Sequence, residues 1–174
     1  ILDEKFRSTE VPVITTDGKH NLWFISNGML YLHNLTNKVT RQLTKSNLYI
    51  TSLCSTKSGK LYFGTPEGII YLVNEKYQIT PFLDFTKSFE KKDWYSIEKI
   101  VETKQGQLLI GTSKAGVFSY EKSTGTLTSI LGQKQLKQFL YVRDILQPND
   151  HEYWFATESG LFVYQIATKS FLHL

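Results

Sequence analysis

The chain of 174 residues is 41% apolar and 21% charged, and its 20 Lys and Arg against 16 Asp and Glu give a net charge of +4. These values suit one folded domain and exclude a disordered tail, while no apolar run approaches the roughly 18 residues that a membrane helix needs. Cys54 is the sole cysteine, which excludes an internal disulfide and any CxxC metal or redox site; the scattered basic excess is weak ground for an anionic partner and none for nucleic acid.

The chain opens ILDEKFRSTE, without an initiator Met and without a basic stretch followed by an apolar one, and reads as mature or cut from something longer. ILDEKFRST sets Phe6 where Phe171 stands in TKSFLHL, so residues 1–10 read as an outer strand of a preceding unit or as a leader. Four aromatic-rich runs follow: NLWFISNGMLYLHN from Asn21, KLYFGTPEGIIYLVN from Lys60, QLLIGTSKAGVFSYE from Gln107 and EYWFATESGLFVYQ from Glu152. The position of Trp23, Tyr62, Leu109 and Trp154 recurs at a spacing of about 40 to 50 residues, the period of a β-propeller blade. A turn glycine recurs with it as Gly28, Gly68, Gly116 and Gly160.

Each unit reads as four short strands. The first carries apolar anchors three apart, as in Ile50 and Leu53, Ile97 and Ile100, and Val142 and Ile145. A turn then holds Asp17-Gly18, Gly59, Gly106 or Pro148-Asn149-Asp150, residues suited to a tight hairpin. The second strand is apolar at nearly every position, as expected where both faces are covered, with Gly64, Gly111 and Ala156 in a slot for close approach and Ile25 as the exception. A third strand follows, then a less apolar fourth (VTRQL, ITPFL, LTSIL, FLHL) whose Pro81, Arg41 and His173 suit a sheet edge. The expected fold is all-β, about four four-stranded antiparallel β-propeller blades, at residues 11–46, 47–86, 87–134 and 135–174. Five outer strands against four inner sets point to a piece of a larger propeller. Only GQKQLKQFLY, at 132–141, has helical character.

The phrase Trp154-Phe155-Ala156-Thr157-Glu158-Ser159-Gly160-Leu161, with VRDIL before it and TKSFLHL after it, resembles the two-component regulator propeller repeat, W-[IF]-G-T-x-x-G-L-x-x-Y. Units two and three resemble it too; unit three has Leu109 for the aromatic and an added Ala115, while unit one has Ile25 for glycine and Ser26 for threonine. The resemblance covers residues 11–174 and implies a periplasmic sensor region of a bacterial hybrid two-component sensor histidine kinase. In that family seven-bladed propellers stand in tandem outside the inner membrane, followed by a β-sandwich, one membrane helix and a cytoplasmic kinase. The resemblance further implies a glycan-derived oligosaccharide as ligand, the remaining blades and signalling domains of the parent receptor as partners, and a homodimer in the full receptor. It implies no cofactor and no membrane contact by this segment. No kinase or receiver motif stands in the chain, so the segment is expected to sense and not to phosphorylate.

CSTKSGKL from Cys54 lacks the first glycine and the final Ser or Thr of a phosphate loop and reads as a hairpin turn. His20, His33, His151 and His173 are expected in turns or outer strands without metal-ligand spacing, so no metal site is expected. Asn34-Leu35-Thr36 is a glycosylation sequon set in a polar turn. Glu98 and Asp144, on innermost strands of adjacent units, are the one pair that could serve a glycosidase; each stands beside an opposite charge, Lys99 or Arg143, which favours cross-paired channel lining over catalysis. The better ligand-binding candidates lie in the connections into the innermost strands, around the channel mouth: Lys91, Lys92, Trp94 and Tyr95 in the long 84–99 segment, Tyr141, Arg143 and Gln138 in the next, and Asn47 and Tyr49 in the previous one. Aromatic faces pack on sugar rings, and lysine, arginine and carboxylate groups pair with hydroxyls or acidic substituents. Trp94 or Tyr95 packing between blades is the competing reading. Three functions stay open: a ligand-sensing module that is not an enzyme, a carbohydrate-active hydrolase or lyase, and a protein-interaction scaffold.

Overall fold

The computed structural model describes residues 11–45, 48–87, 95–131 and 140–174. Residues 1–10, Asn47, Lys91, Lys92, Trp94 and Gln138, and most of the 132–141 stretch, for which the sequence raised expectations, lie outside the described residues. Among the described residues sixteen strands form four antiparallel sheets. Blade 1 contains β1 (Val13–Thr16), β2 (Asn21–Ser26), β3 (Met29–Asn34) and β4 (Thr40–Gln42). Blade 2 contains β5 (Ser52–Ser55), β6 (Leu61–Gly64), β7 (Ile69–Val73) and β8 (Ile79–Asp84). Blade 3 contains β9 (Ile97–Glu102), β10 (Leu108–Thr112), β11 (Val117–Glu121) and β12 (Thr126–Leu131). Blade 4 contains β13 (Val142–Leu146), β14 (Glu152–Thr157), β15 (Gly160–Gln165) and β16 (Ser170–His173). Strand order within each sheet follows the chain, and the first strands contact one another in the order β1, β5, β9, β13, as in consecutive propeller blades.

The core is not within any sheet but between sheets. Trp23, Ile25, Leu30 and Leu32 of blade 1 pack on Ile50, Leu53, Leu61 and Phe63 of blade 2. The other face of blade 2, with Tyr62 and Ile70, packs on Ile97, Ile100, Ile110 and Phe118 of blade 3. Leu109, Val117 and Leu131 of blade 3 meet Val142, Ile145, Phe155 and Phe162 of blade 4. Hence β6 and β10 are buried at every position, with no alternation. In β14 burial alternates, Tyr153 and Phe155 being buried and Trp154 half-buried, because among the described residues only the face toward blade 3 has a packed neighbour.

The small-residue slot is where neighbouring blades approach most closely. A Cβ on Gly64 would lie 2.4 Å from Ile97 Cγ2, and one on Gly111 would lie 2.7 Å from Val142 Cγ1. Each time, the first apolar anchor of one blade sits against the glycine of the blade before it. The spacing of three between anchors has a backbone cause: β9 opposes Lys99 to Gly111 but Ile97 to Thr112, and β13 opposes Asp144 to Ala156 but Val142 to Thr157. Glu98 and Arg143 are therefore the extra residues of β-bulges, which convert a period of two into a spacing of three.

Turn chemistry agrees with the sequence. Asp17 closes the β1–β2 hairpin by accepting hydrogen bonds from the backbone N–H groups of Lys19 (2.8 Å) and Asn21 (3.3 Å), the Asn21 amide (2.9 Å) and the Trp23 indole N–H (3.0 Å). The CSTKSGKL stretch is the β5–β6 hairpin, with Thr56 Oγ1 accepting from Lys60 N at 3.1 Å and Gly59 at φ 78°. Asn34 of the sequon is tied into its turn, its side-chain oxygen accepting from the N–H groups of Thr36 and Asn37 at 3.0 and 2.9 Å. One expectation is corrected: His33 stands in neither a turn nor an outer strand but buried in β3, its Nδ1 2.9 Å from Thr40 Oγ1, because the β3–β4 pairing faces the ring with a hydroxyl partner.

Two outcomes follow. Gly64→Ala should destabilise the protein by about 1–3 kcal/mol, since the added methyl overlaps the Ile97 side chain; urea unfolding would show a lowered midpoint, and an unchanged midpoint would mean that blades 2 and 3 are not this close. Asp17→Ala should cost about 1–3 kcal/mol at pH 7 by leaving the buried Trp23 indole without its acceptor. Burial alone would raise the Asp17 pKa, but its hydrogen bonds with Asn21, Trp23 and Lys19 outweigh that and hold it below the usual value. Its stabilisation is thus present above the unfolded-state pKa of about 3.9 and lost as pH falls through the lower folded value, so the gap between variant and parent should close in acid.

Candidate binding site at the inner strands

The bulges aim two consecutive side chains per blade away from the interblade core. Along β9, Ile97 and Ile100 are buried while Glu98 and Lys99 are half-buried; along β13, Val142 and Ile145 are buried while Arg143 and Asp144 are exposed. The corresponding pair in blade 2 is Thr51 and Ser52, whose hydroxyls both donate to the Ile97 carbonyl, at 2.6 and 3.0 Å. Blades 3 and 4 therefore present charge where blade 2 presents hydroxyls already used in joining it to β9.

The charges cross-pair. Lys99 Nζ lies 2.7 Å from Asp144 Oδ1, joining blade 3 to blade 4, and the same carboxylate oxygen accepts from Ile145 N at 2.9 Å. The Arg143 guanidinium lies over the Tyr141 ring, 4.1 Å from its centroid, and donates to the Glu158 carboxylate. Burial pushes the Tyr141 hydroxyl pKa up, helped by its hydrogen bond to Glu98 and by that carboxylate's charge. Glu98, Tyr141, Arg143 and Glu158 thus form one chain of contacts across the two blades, with the Lys99–Asp144 pair beside it. The carboxylates proposed as an acid and base pair already have partners: Lys99 for Asp144 and Tyr141 for Glu98.

Of the expected site residues, Glu98, Tyr141, Arg143 and Asp144 come together here. Tyr49 does not join them; it is 59% exposed and its ring lies against Gly28, where a Cβ would be 2.3 Å from Tyr49 Cδ2. Gly28 has φ 71°, so this turn needs glycine for its backbone as well as for the ring. Tyr95 is half-buried, with its carbonyl 2.8 Å from the Cβ position of Gly68. Glu158, in the β14–β15 turn, was not foreseen. Its backbone N–H donates to the Tyr141 carbonyl at 3.1 Å, which fixes it beside the arginine; in the sequence it is only one polar residue of the E-S-G turn.

No protein-family model matches the chain, and no curated protein matches it. Among solved structures, the extracellular domain of a one-component system from B. thetaiotaomicron is 19% identical with a TM-score of 0.79, covering 95% of this chain and 22% of that one. The extracellular domain of a hybrid two-component system from the same organism is 16% identical with a TM-score of 0.79, covering 100% of this chain and 24% of that one. An auxiliary nutrient binding protein from Bacteroides thetaiotaomicron is 11% identical with a TM-score of 0.68, covering 99% and 46%. The chain spans less than a quarter of the length of the first two. The likeness shows a β-propeller fold, and it falls on the same kind of extracellular domain that the Trp154–Leu161 phrase resembles.

Proposed function

We propose that the chain belongs to the ligand-sensing region of an extracytoplasmic, periplasmic receptor of two-component signalling, and that it binds a glycan-derived oligosaccharide and hands the signal to a kinase carried elsewhere. The observation that carries this reading is the Arg143 guanidinium stacked on Tyr141 and held by Glu158, beside the Lys99–Asp144 pair. Aromatic face, guanidinium and carboxylates stand within one exposed network, and sugar hydroxyls can exchange for its partners at little cost because exposed ion pairs contribute at most about 1 kcal/mol each. The repeat phrase and the fold likeness support the signalling class. The partnered state of Glu98 and Asp144 favours binding over hydrolysis, which needs one carboxyl held protonated and the other free to attack or to activate water.

Isothermal calorimetry against neutral and acidic oligosaccharides tests the reading. Saturating heat is expected, with Arg143→Ala weakening affinity at least about tenfold, equivalent to about 1.4 kcal/mol. Heat that continues after saturation would signal turnover and replace the sensor with an enzyme; saturating heat indifferent to Arg143→Ala would remove the inner-strand site.

A further inference from the structure

Between the outer halves of blades 3 and 4 lies a half-open groove of about 380 Å³, away from the inner-strand network. Its blade 4 wall is aromatic. Tyr153 and Tyr164 are paired across β14 and β15 with rings 6.1 Å apart and 3° from parallel, and Phe171 follows opposite Tyr164 on β16. Its blade 3 wall carries Gln107, Ser119, Thr128 and Ser129 beside the apolar Ile130, and Lys169 stands at the exposed rim.

Comparison of the repeats explains why the groove exists. By strand register, Tyr62, Leu72 and Phe82 of blade 2 correspond to Leu109, Ser119 and Ile130 of blade 3. In blade 2 these side chains fill the space before blade 3: Phe82 lies 4.8 Å from Tyr62 and 5.2 Å from Tyr120, ring centre to ring centre. In blade 3 all three are smaller; the Tyr62 hydroxyl is lost and a hydroxyl appears instead at Ser119. A merely loosened core would have kept an apolar wall; here an apolar position has turned polar opposite an aromatic row.

We propose that this groove is a second binding site, for one sugar ring carrying an anionic substituent. The volume falls within the roughly 300–1,000 Å³ of small-molecule sites. The C–H face of a pyranose packs on the partly exposed Phe171 ring and on the small part of the buried Tyr153 and Tyr164 rings that lines the groove. Its hydroxyls meet those of Ser119 and Thr128 and the Gln107 amide, and its carboxylate or sulfate meets the Lys169 ammonium. The site does not rest on the reading of the inner strands, and it would stand if that reading failed.

The test is an NMR titration of the chain with methyl β-D-glucuronide and, in parallel, methyl β-D-glucoside. Saturable shifts of the amides of Ser119, Thr128, Tyr164 and Lys169 are expected, with the glucuronide binding more tightly. The double variant Ser119→Leu, Ile130→Phe, which restores the blade 2 residues at these positions, should fold with unchanged or raised stability and lose the shifts. Lys169→Ala, a surface change, should weaken the glucuronide at least tenfold and leave the glucoside unaffected, and Arg143→Ala should change neither. No saturable shift at these residues with either sugar, or shifts that survive both the filling variant and Lys169→Ala, would overturn the proposal.

Discussion

The contact on which the structure depends is the seating of one blade's first apolar anchor against the glycine of the blade before it, Ile97 on Gly64 and Val142 on Gly111. A single four-stranded sheet of this sequence is apolar on both faces and cannot shield either alone. Close approach lets the side chains two residues before each glycine, on the same face, Tyr62 in β6 and Leu109 in β10, reach full burial, and a buried apolar side chain contributes on the order of 1.5–3 kcal/mol when removed from water. At these two junctions the glycine is needed for what it lacks: a Cβ there would overlap the neighbouring blade's anchor. Stability is consequently a property of neighbouring pairs of blades, as in other repeat arrays.

The same geometry creates the candidate site. To place two anchors on the neighbour while the strand still pairs with its own sheet, β9 and β13 each take up one additional residue. That residue cannot point into either face, so the bulge turns Glu98 and Arg143 out together with Lys99 and Asp144. The packing requirement fixes the backbone and leaves the identity of the outward pair free. Thr51 and Ser52 use that freedom to bind the Ile97 carbonyl, whereas the later blades use it for charge. Structure and site are thus separated residue by residue on one strand.

This separation also accounts for what could be read from the sequence. The anchors, the turn glycines and the small residues at Gly64, Gly111 and Ala156 recur because packing makes similar demands on successive blades, and recurrence is visible in a string of letters. Glu98, Tyr141, Arg143 and Asp144 were legible as charged or aromatic residues beside anchors of known register, though the pairing of Lys99 with Asp144 rather than Glu98 with Lys99 needs the angle between blades. Glu158 escaped because its place is set by a backbone hydrogen bond to Tyr141, residues apart in sequence and invisible in composition. His33 was misplaced because a histidine in a polar stretch reads as surface, while the Thr40 hydroxyl that makes its burial tolerable lies on the next strand.

The outer groove was illegible for a different reason. Leu109, Ser119 and Ile130 are unremarkable in their own strands, and the residues that make their size matter, Tyr153 and Tyr164, belong to another unit. Only when equivalent positions of blades 2 and 3 are set against the same kind of neighbour does the exchange of Tyr62, Leu72 and Phe82 for smaller side chains become a loss of volume that moves a hydroxyl from the second strand to the third. A repeat fold supplies its own control in this way: an interblade contact that is filled at one junction and open at the next, with the anchors kept at both, marks a place where packing has been relaxed without loosening the blades. The seats at Gly64 and Gly111 are both tight, a Cβ meeting the anchor at 2.4 and 2.7 Å, so the opening lies in the outer strands, where its cost to the inner contact is least.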